Sequence, residues 1–417
     1  MDESEALTRA VAAAPDDDLP RLVFADWLEE RDEPAHAAFV RAQVELARTP
    51  PWEPFAVGLR HREPDLVTGA PWWSALPRVD GIGLEWHPEF ALRRGFAWGL
   101  KVHDVATFFA EAPRLFDAAP IGQLHLPSAT LDQWKHFAAQ PWLPRVKSIH
   151  FPGTRTPIEP VRVLCESPLA TGLEEIVFHR GGSHAMPELV AGLFRSPLGR
   201  RLRGLEFRSG YESLEELIAA FAAGPEPPRL NRLAFTATRF AAEHIEQLTE
   251  SPVLDSLTEL AITKLGLPTD ELRRLARCRR LGGLTRLTLC EVQADPRGLA
   301  AVADSEHLPR LRMLDLSRNW RGGGVRPEVW AGLSGRLRAL DLSSTRLDDR
   351  ALRALSANWG GLVELKLDYN QLTDAGARHL LDREPPPDLA ALTLTGSRFG
   401  DETRRRLRDH FGERVLL

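Results

Sequence analysis

Short runs in which apolar residues alternate with polar ones recur down the chain, as in Leu205 and Phe207, Leu233 and Phe235, Leu260 and Ile262, and Leu287 and Leu289. Two-residue alternation marks a strand with one buried face. Each run is followed by a turn and then about ten residues at helical spacing. Ala351, Leu352 and Leu355 share one such helical face, and Ala377, Leu380 and Leu381 share another. With the central apolar residue of each run as phase marker, the series is Leu100, Leu124, Ile149, Ile176, Leu205, Leu233, Leu260, Leu287, Leu314, Leu340, Leu365 and Leu392. Successive separations are 24, 25, 27, 29, 28, 27, 27, 27, 26, 25 and 27 residues. A period held through twelve copies predicts a repeat array. The class is α/β: a solenoid of short parallel strands, each returned by an outer helix. Strands pack about 4.8 Å apart and helices about 8–10 Å apart. The array is therefore expected to curve into a horseshoe with its strands on the concave side.

The unit Leu362-Val363-Glu364-Leu365-Lys366-Leu367-Asp368-Tyr369-Asn370-Gln371-Leu372 fits L-x-x-L-x-L-x-x-N-x-L at every fixed position. Leu337–Leu342 with Thr345 and Leu347, and Leu311–Leu316 with Asn319, are further copies. These units resemble leucine-rich repeats. Their length and the turn at 372–376 resemble the ribonuclease-inhibitor-like class, over roughly residues 96–417. The asparagine position holds Asn319 and Asn370, with Thr238, Thr345 and Ser397 as substitutes. It is lost at Ala129, Gly181, Gly210, Leu265 and Val292. The Arg-rich stretch around Thr403–His410 reads as a capping helix and Arg414–Leu417 as a closing strand, since the last repeat of an array needs cover.

Residues 1–48 form a different unit, a small all-α domain. Ala6, Leu7, Ala10, Val11 and Ala14 share a helical face; Asp16–Asp18 with Pro20 start a second helix carrying Leu22, Val23, Trp27 and Leu28. A third follows Pro34, with Phe39, Val40, Gln43, Val44 and Ala47 inward. The block from Pro15 to Arg31, with Ala25-Asp26-Trp27-Leu28-Glu29-Glu30 at its centre, and Ala38–Gln43 after it resemble the bacterial repeat-companion domain. That resemblance implies a family without implying a chemistry. Residues 49–95, rich in Pro and Trp (Trp52, Trp72, Trp73, Trp86), read as a connecting segment that caps the first repeat.

Composition narrows the function. Lys and Arg total 53 against 58 Asp and Glu, a net charge of −5, which removes the electrostatic argument for nucleic acid. No apolar run is long enough to span a membrane, and the acidic opening Met1–Glu5 lacks the features of a secretory signal. Three scattered cysteines, Cys165, Cys278 and Cys290, do not form a disulfide framework. The expectation is a cytoplasmic monomer with no cofactor, no nucleic acid and no membrane among its partners. No phosphate loop, dinucleotide fingerprint, nucleophile elbow or zinc-protease motif occurs, so no catalytic residue is assigned. The glycines at 181–182 and 322–324 fall in loops, and the Asp16–Asp18 run reads as a cap rather than a metal site.

The expected function is therefore a non-enzymatic scaffold that binds a protein partner through the concave face. Residues one before, one after and three after each marker point into that face. The rule selects His125, His150, Glu206, Arg208, Arg232, Arg286, Asp315, Asp341, Glu364, Lys366 and Asp368, with Tyr369 beside them. The charge runs from Lys101 and histidines, through mixed residues including Glu259, to an acidic end suited to a basic partner. Two alternatives stand: a metal-binding or enzymatic protein using His103, His125, His150 and His179, or an architectural protein that self-associates.

Overall fold

The computed structural model describes residues 2–67, 79–80, 82–84, 92–152, 158–179, 186–208, 218, 221, 228–236, 242–264, 266–319, 329, 332–333 and 335–417. Trp72, Trp73 and Trp86, the glycines at 181–182 and 322–324, and positions 210, 238 and 265 fall outside them. The chain divides into two compact units. One comprises residues 1–50 and 59–205, the other residues 51–58 and 206–417.

In the first unit, helices α1 (Glu3–Ala13), α2 (Leu19–Glu29) and α3 (Pro34–Arg48) close over Val11, Phe24, Ala25, Leu28, Ala37 and Val40. Helix α4 spans Pro54–Val67, and its residues up to Gly58 belong to the other unit. The buried faces of α1 and α2 are rotated from the expected ones. Ala6, Ala10 and Val23 are exposed, whereas Ala12, Arg21 and Phe24 are buried. Phe96, from the hairpin of β2 (Leu92–Arg93) and β3 (Phe96–Ala97), completes this cluster. Its turn residues Arg94 and Gly95 both have positive φ, and a side chain on Gly95 would meet the backbone of Val40 at 3.0 Å.

Asp18 does not cap α2. Its own backbone is helical, so its carboxylate turns from the helix end to Arg48 at 2.6 Å and Arg94 at 3.1 Å. Arg21 lies buried beneath and donates to the carbonyls of Pro15 and Asp17. Burial lowers its guanidinium to about 10.

The repeats begin with β4 (Gly99–Val102), β5 (Gln123–His125), β6 (Ser148–Pro152) and β7 (Glu175–His179). These strands pair in parallel and in sequence order, aligning Leu100, Leu124, Ile149 and Ile176. At the free edge of β4, β1 (Ile82–Leu84) adds antiparallel. Strand β8 (Gly204–Arg208) carries the boundary between the units.

In the second unit the same pattern runs through β9 (Arg232–Thr236), β10 (Glu259–Thr263), β11 (Arg286–Cys290), β12 (Met313–Asp315), β13 (Ala339–Asp341), β14 (Glu364–Lys366), β15 (Ala391–Thr393) and β16 (Val415–Leu416). Leu233, Leu260, Leu287, Leu314, Leu340, Leu365, Leu392 and Val415 align across these pairings. All twelve phase markers are buried. Among the described residues this is a mixed α/β architecture compatible with a leucine-rich-repeat-like solenoid. Its C-terminal helix, Asp401–Phe411, buries Leu407 and Phe411, while Arg405, Arg406 and Arg408 face solvent. In the same unit Val57, from the first turns of α4, packs on Val363 and Ala391.

Two devices join the repeats of the second unit. The fourth residue after each marker is left-handed: Lys264, Glu291, Arg318, Ser344, Tyr369 and Gly396 all have φ between +55° and +75°. From Lys264 to Tyr369 its N–H donates to the carbonyl three residues after the next marker, on Cys290, Ser317, Ser343, Asp368 and Thr395 in turn, at 2.7–3.0 Å. The second device is the buried asparagine. Asn319 Nδ2 donates to the carbonyls of Leu289 and Leu316, and its Oδ1 accepts from Val292 and Ala294. Asn370 repeats the arrangement with Leu342, Leu367, Thr345 and Leu347. Each asparagine thus satisfies the turn of the repeat before its own.

Removing such a side chain strands buried backbone groups. Asn319→Ala should lower unfolding stability by about 3 kcal/mol, measured by urea denaturation. A loss within about 0.5 kcal/mol, as for a surface substitution, would show that the asparagine bonds do not hold the turns.

Candidate functional site

The residues selected for the concave face lie on the strands, except Asp368 and Tyr369 in the turn after β14, and the structure sorts them into three groups. In the first unit, His125 and His150 are register partners on β5 and β6, with ring centroids 3.8 Å apart. His179, at the end of β7, has its ring 6.3 Å from His125 and 5.8 Å from His150. One ring nitrogen from each lies within 4.8 Å of the others, a spacing from which a metal ion could be reached. His103 is not in that group; it follows the end of β4 in a bend and is exposed. Gln123 lies 3.0 Å from His125 through Nε2 of each side chain, and Ser148 donates to Glu175 on the neighbouring strand.

In the second unit the mixed charges are already engaged with one another. Glu206 sits between Arg208 and Arg232; Arg232 reaches Glu259 at 3.2 Å, and Arg286 approaches Glu259 at 3.9 Å. Burial acts to raise the Glu206 carboxyl, yet Arg208 and Arg232 outweigh it and hold the group below its ordinary value. A chain of alternating charges fixes its members in place, so this part of the face has structural work of its own.

The acidic group is different. Asp315 and Asp341 are direct register partners on β12 and β13. Each carboxylate accepts a hydrogen bond from the N–H two residues on, Ser317 at 2.8 Å and Ser343 at 2.9 Å, which locks it over the turn. The pair is held side by side by the sheet, and like charges directly opposite repel. Burial, then the Asp315 charge, push the Asp341 carboxyl up to about 6. Glu364 pairs with Lys366 at 3.1 Å, and Asp368 accepts from Thr393 and from the Thr395 N–H. Tyr369 stands 67% exposed, held by its left-handed backbone and by Gly396, where a side chain would meet the tyrosine ring at 2.6 Å.

The asymmetry within this group was not visible in the sequence, where Asp315, Asp341, Glu364 and Asp368 look alike. The neighbouring Lys366 and the threonines of β15 separate them. The cysteines offer no activated thiol: burial is the leading influence on Cys165, Cys278 and Cys290, and all three are raised.

A carboxyl with a raised native pKa binds its proton more tightly folded than unfolded. Its contribution to stability is therefore full near pH 4 and is lost as pH rises through about 6. Asp341→Asn keeps the acceptor for Ser343 and removes the charge. It should raise the melting temperature at pH 7.5 and flatten the pH dependence between about 4 and about 6. Identical melting profiles for the two proteins would show that Asp341 is not under repulsion.

No family model and no curated protein matches this chain. Among solved structures it is similar to the mouse RP105/MD-1 complex at 15% identity and a TM-score of 0.33, covering 71% of this chain and 54% of that one. The match thus covers about half the length of that solved chain, and a likeness at this level carries no functional argument.

Proposed function

We propose that this chain is a non-enzymatic scaffold whose strand-borne side chains hold a basic segment of a partner protein. The observation that carries this reading is the cross-strand pair Asp315 and Asp341. Two carboxylates are fixed next to each other, one of them with a raised pKa that the charge of Lys366, its register partner on β14, offsets only in part. A lysine or arginine entering between them would relieve the repulsion and make charge-assisted hydrogen bonds. Tyr369, exposed and conformationally held, supplies an aromatic contact of the kind that dominates interface energies.

The remaining elements of the proposal rest on the sequence motifs. Residues 1–48 are read as a repeat-companion domain of bacterial type and 49–95 as a connecting segment. Residues 96–417 are read as about twelve ribonuclease-inhibitor-like repeats in a cytoplasmic monomer without catalytic residues.

The test is a pull-down from native cytosol with the full chain, followed by affinity measurement on the recovered partner. Asp315→Asn together with Asp341→Asn should weaken binding at least tenfold, about 1.4 kcal/mol, while the melting temperature at neutral pH holds or rises. Unchanged affinity with that pair of substitutions would place the binding surface elsewhere.

A further inference from the structure

His125, His150 and His179 of the first unit have no part in the acidic surface. Their chemistry is specific. His150 is 4% exposed, in the middle of β6, flanked by β5 and β7, which carry the other two rings. A sheet of this kind fixes its Cβ positions by register, so the convergence is built into the backbone rather than left to flexible loops. The three ring nitrogens lie within 4.8 Å of one another. Imidazole ligands of a tetrahedral zinc ion, bound at about 2.0–2.1 Å, stand about 3.4 Å apart. Side-chain torsions can supply a contraction of roughly 1 Å while the strands stay in place.

We propose that His125, His150 and His179 form a divalent transition-metal site of the zinc class, with three imidazole ligands and a fourth position open to water or to a donor from a bound molecule. The donor set suits zinc, copper, nickel or cobalt and does not suit calcium or magnesium, which take oxygen ligands. Gln123, buried on β5 with its side-chain amide 3.0 Å from His125 Nε2, would orient that ring with the metal on Nδ1 once the amide turns its oxygen to accept from the Nε2–H. Glu175 and Ser148, bonded to each other across β6 and β7, add a polar margin on the same strands. Lys101, the register partner of His125 on β4, is exposed.

The experiment uses the full chain, freed of any purification tag and stripped with a chelator, titrated with Co²⁺ and then displaced by Zn²⁺. The expected result is one ion per chain and the visible absorption of low-symmetry, nitrogen-ligated cobalt, bleached by zinc. His150→Ala should weaken binding by roughly 100-fold or more and Gln123→Ala by roughly 10-fold, while His103→Ala leaves it unchanged. If His150→Ala fails to fold, His179→Ala serves in its place, since that side chain is half-buried at a strand end. Failure of the unsubstituted protein to take up cobalt or zinc stoichiometrically would overturn the assignment. So would uptake that survives His125→Ala and His179→Ala.

Discussion

The second unit depends on a backbone hydrogen bond made by a residue in an unfavourable conformation. From β10 to β14, the chain leaves each strand through a left-handed residue, and that residue's N–H reaches the carbonyl at the matching turn of the next repeat. For a residue with a side chain this conformation costs of order 1 kcal/mol. Lys264, Glu291, Arg318, Ser344 and Tyr369 accept it because the alternative leaves a turn amide without its partner. The strand ladder and the buried asparagines then bind the same neighbours. A repeat in this unit is therefore satisfied only by the repeats beside it, and the terminal strand β16 continues the pairing where the helical repeats end.

The same rigidity gives the polar face its chemistry. Side chains on a fixed parallel ladder are placed by register, whether or not their charges agree. Where signs alternate, as through Glu206, Arg232, Glu259 and Arg286, the ladder neutralises itself. Where signs repeat, as at Asp315 and Asp341, it holds a repulsion that a flexible loop would relax. Where imidazoles repeat, at His125 and His150, it stacks rings at 3.8 Å and brings His179 to join them. Three electrostatic characters thus arise from one geometric rule applied to different residues.

The spacing of apolar residues determined the strands and their register, because a period near 27 residues permits only one alignment that buries every marker. The same count placed the outward-facing residues, so His125, His150, Asp315 and Asp341 could be named from the chain alone. The terminal strand at Val415–Leu416 followed from the need to cover the last repeat.

Tertiary structure decided the rest, for reasons that local sequence does not encode. No glycine marks the left-handed turns at Lys264, Glu291, Arg318, Ser344 and Tyr369, since the conformation there is imposed by a bond to another repeat. The Asp16–Asp18 run reads locally as a helix cap. Yet Asp18 serves Arg48 and Arg94, which lie 30 and 76 residues further on. Val57 falls within a segment without periodicity, and only folding places it on Val363 and Ala391. Which acidic residues stand beside a like charge, and which histidines converge, depends on neighbours one repeat away in sequence but about 5 Å away in space.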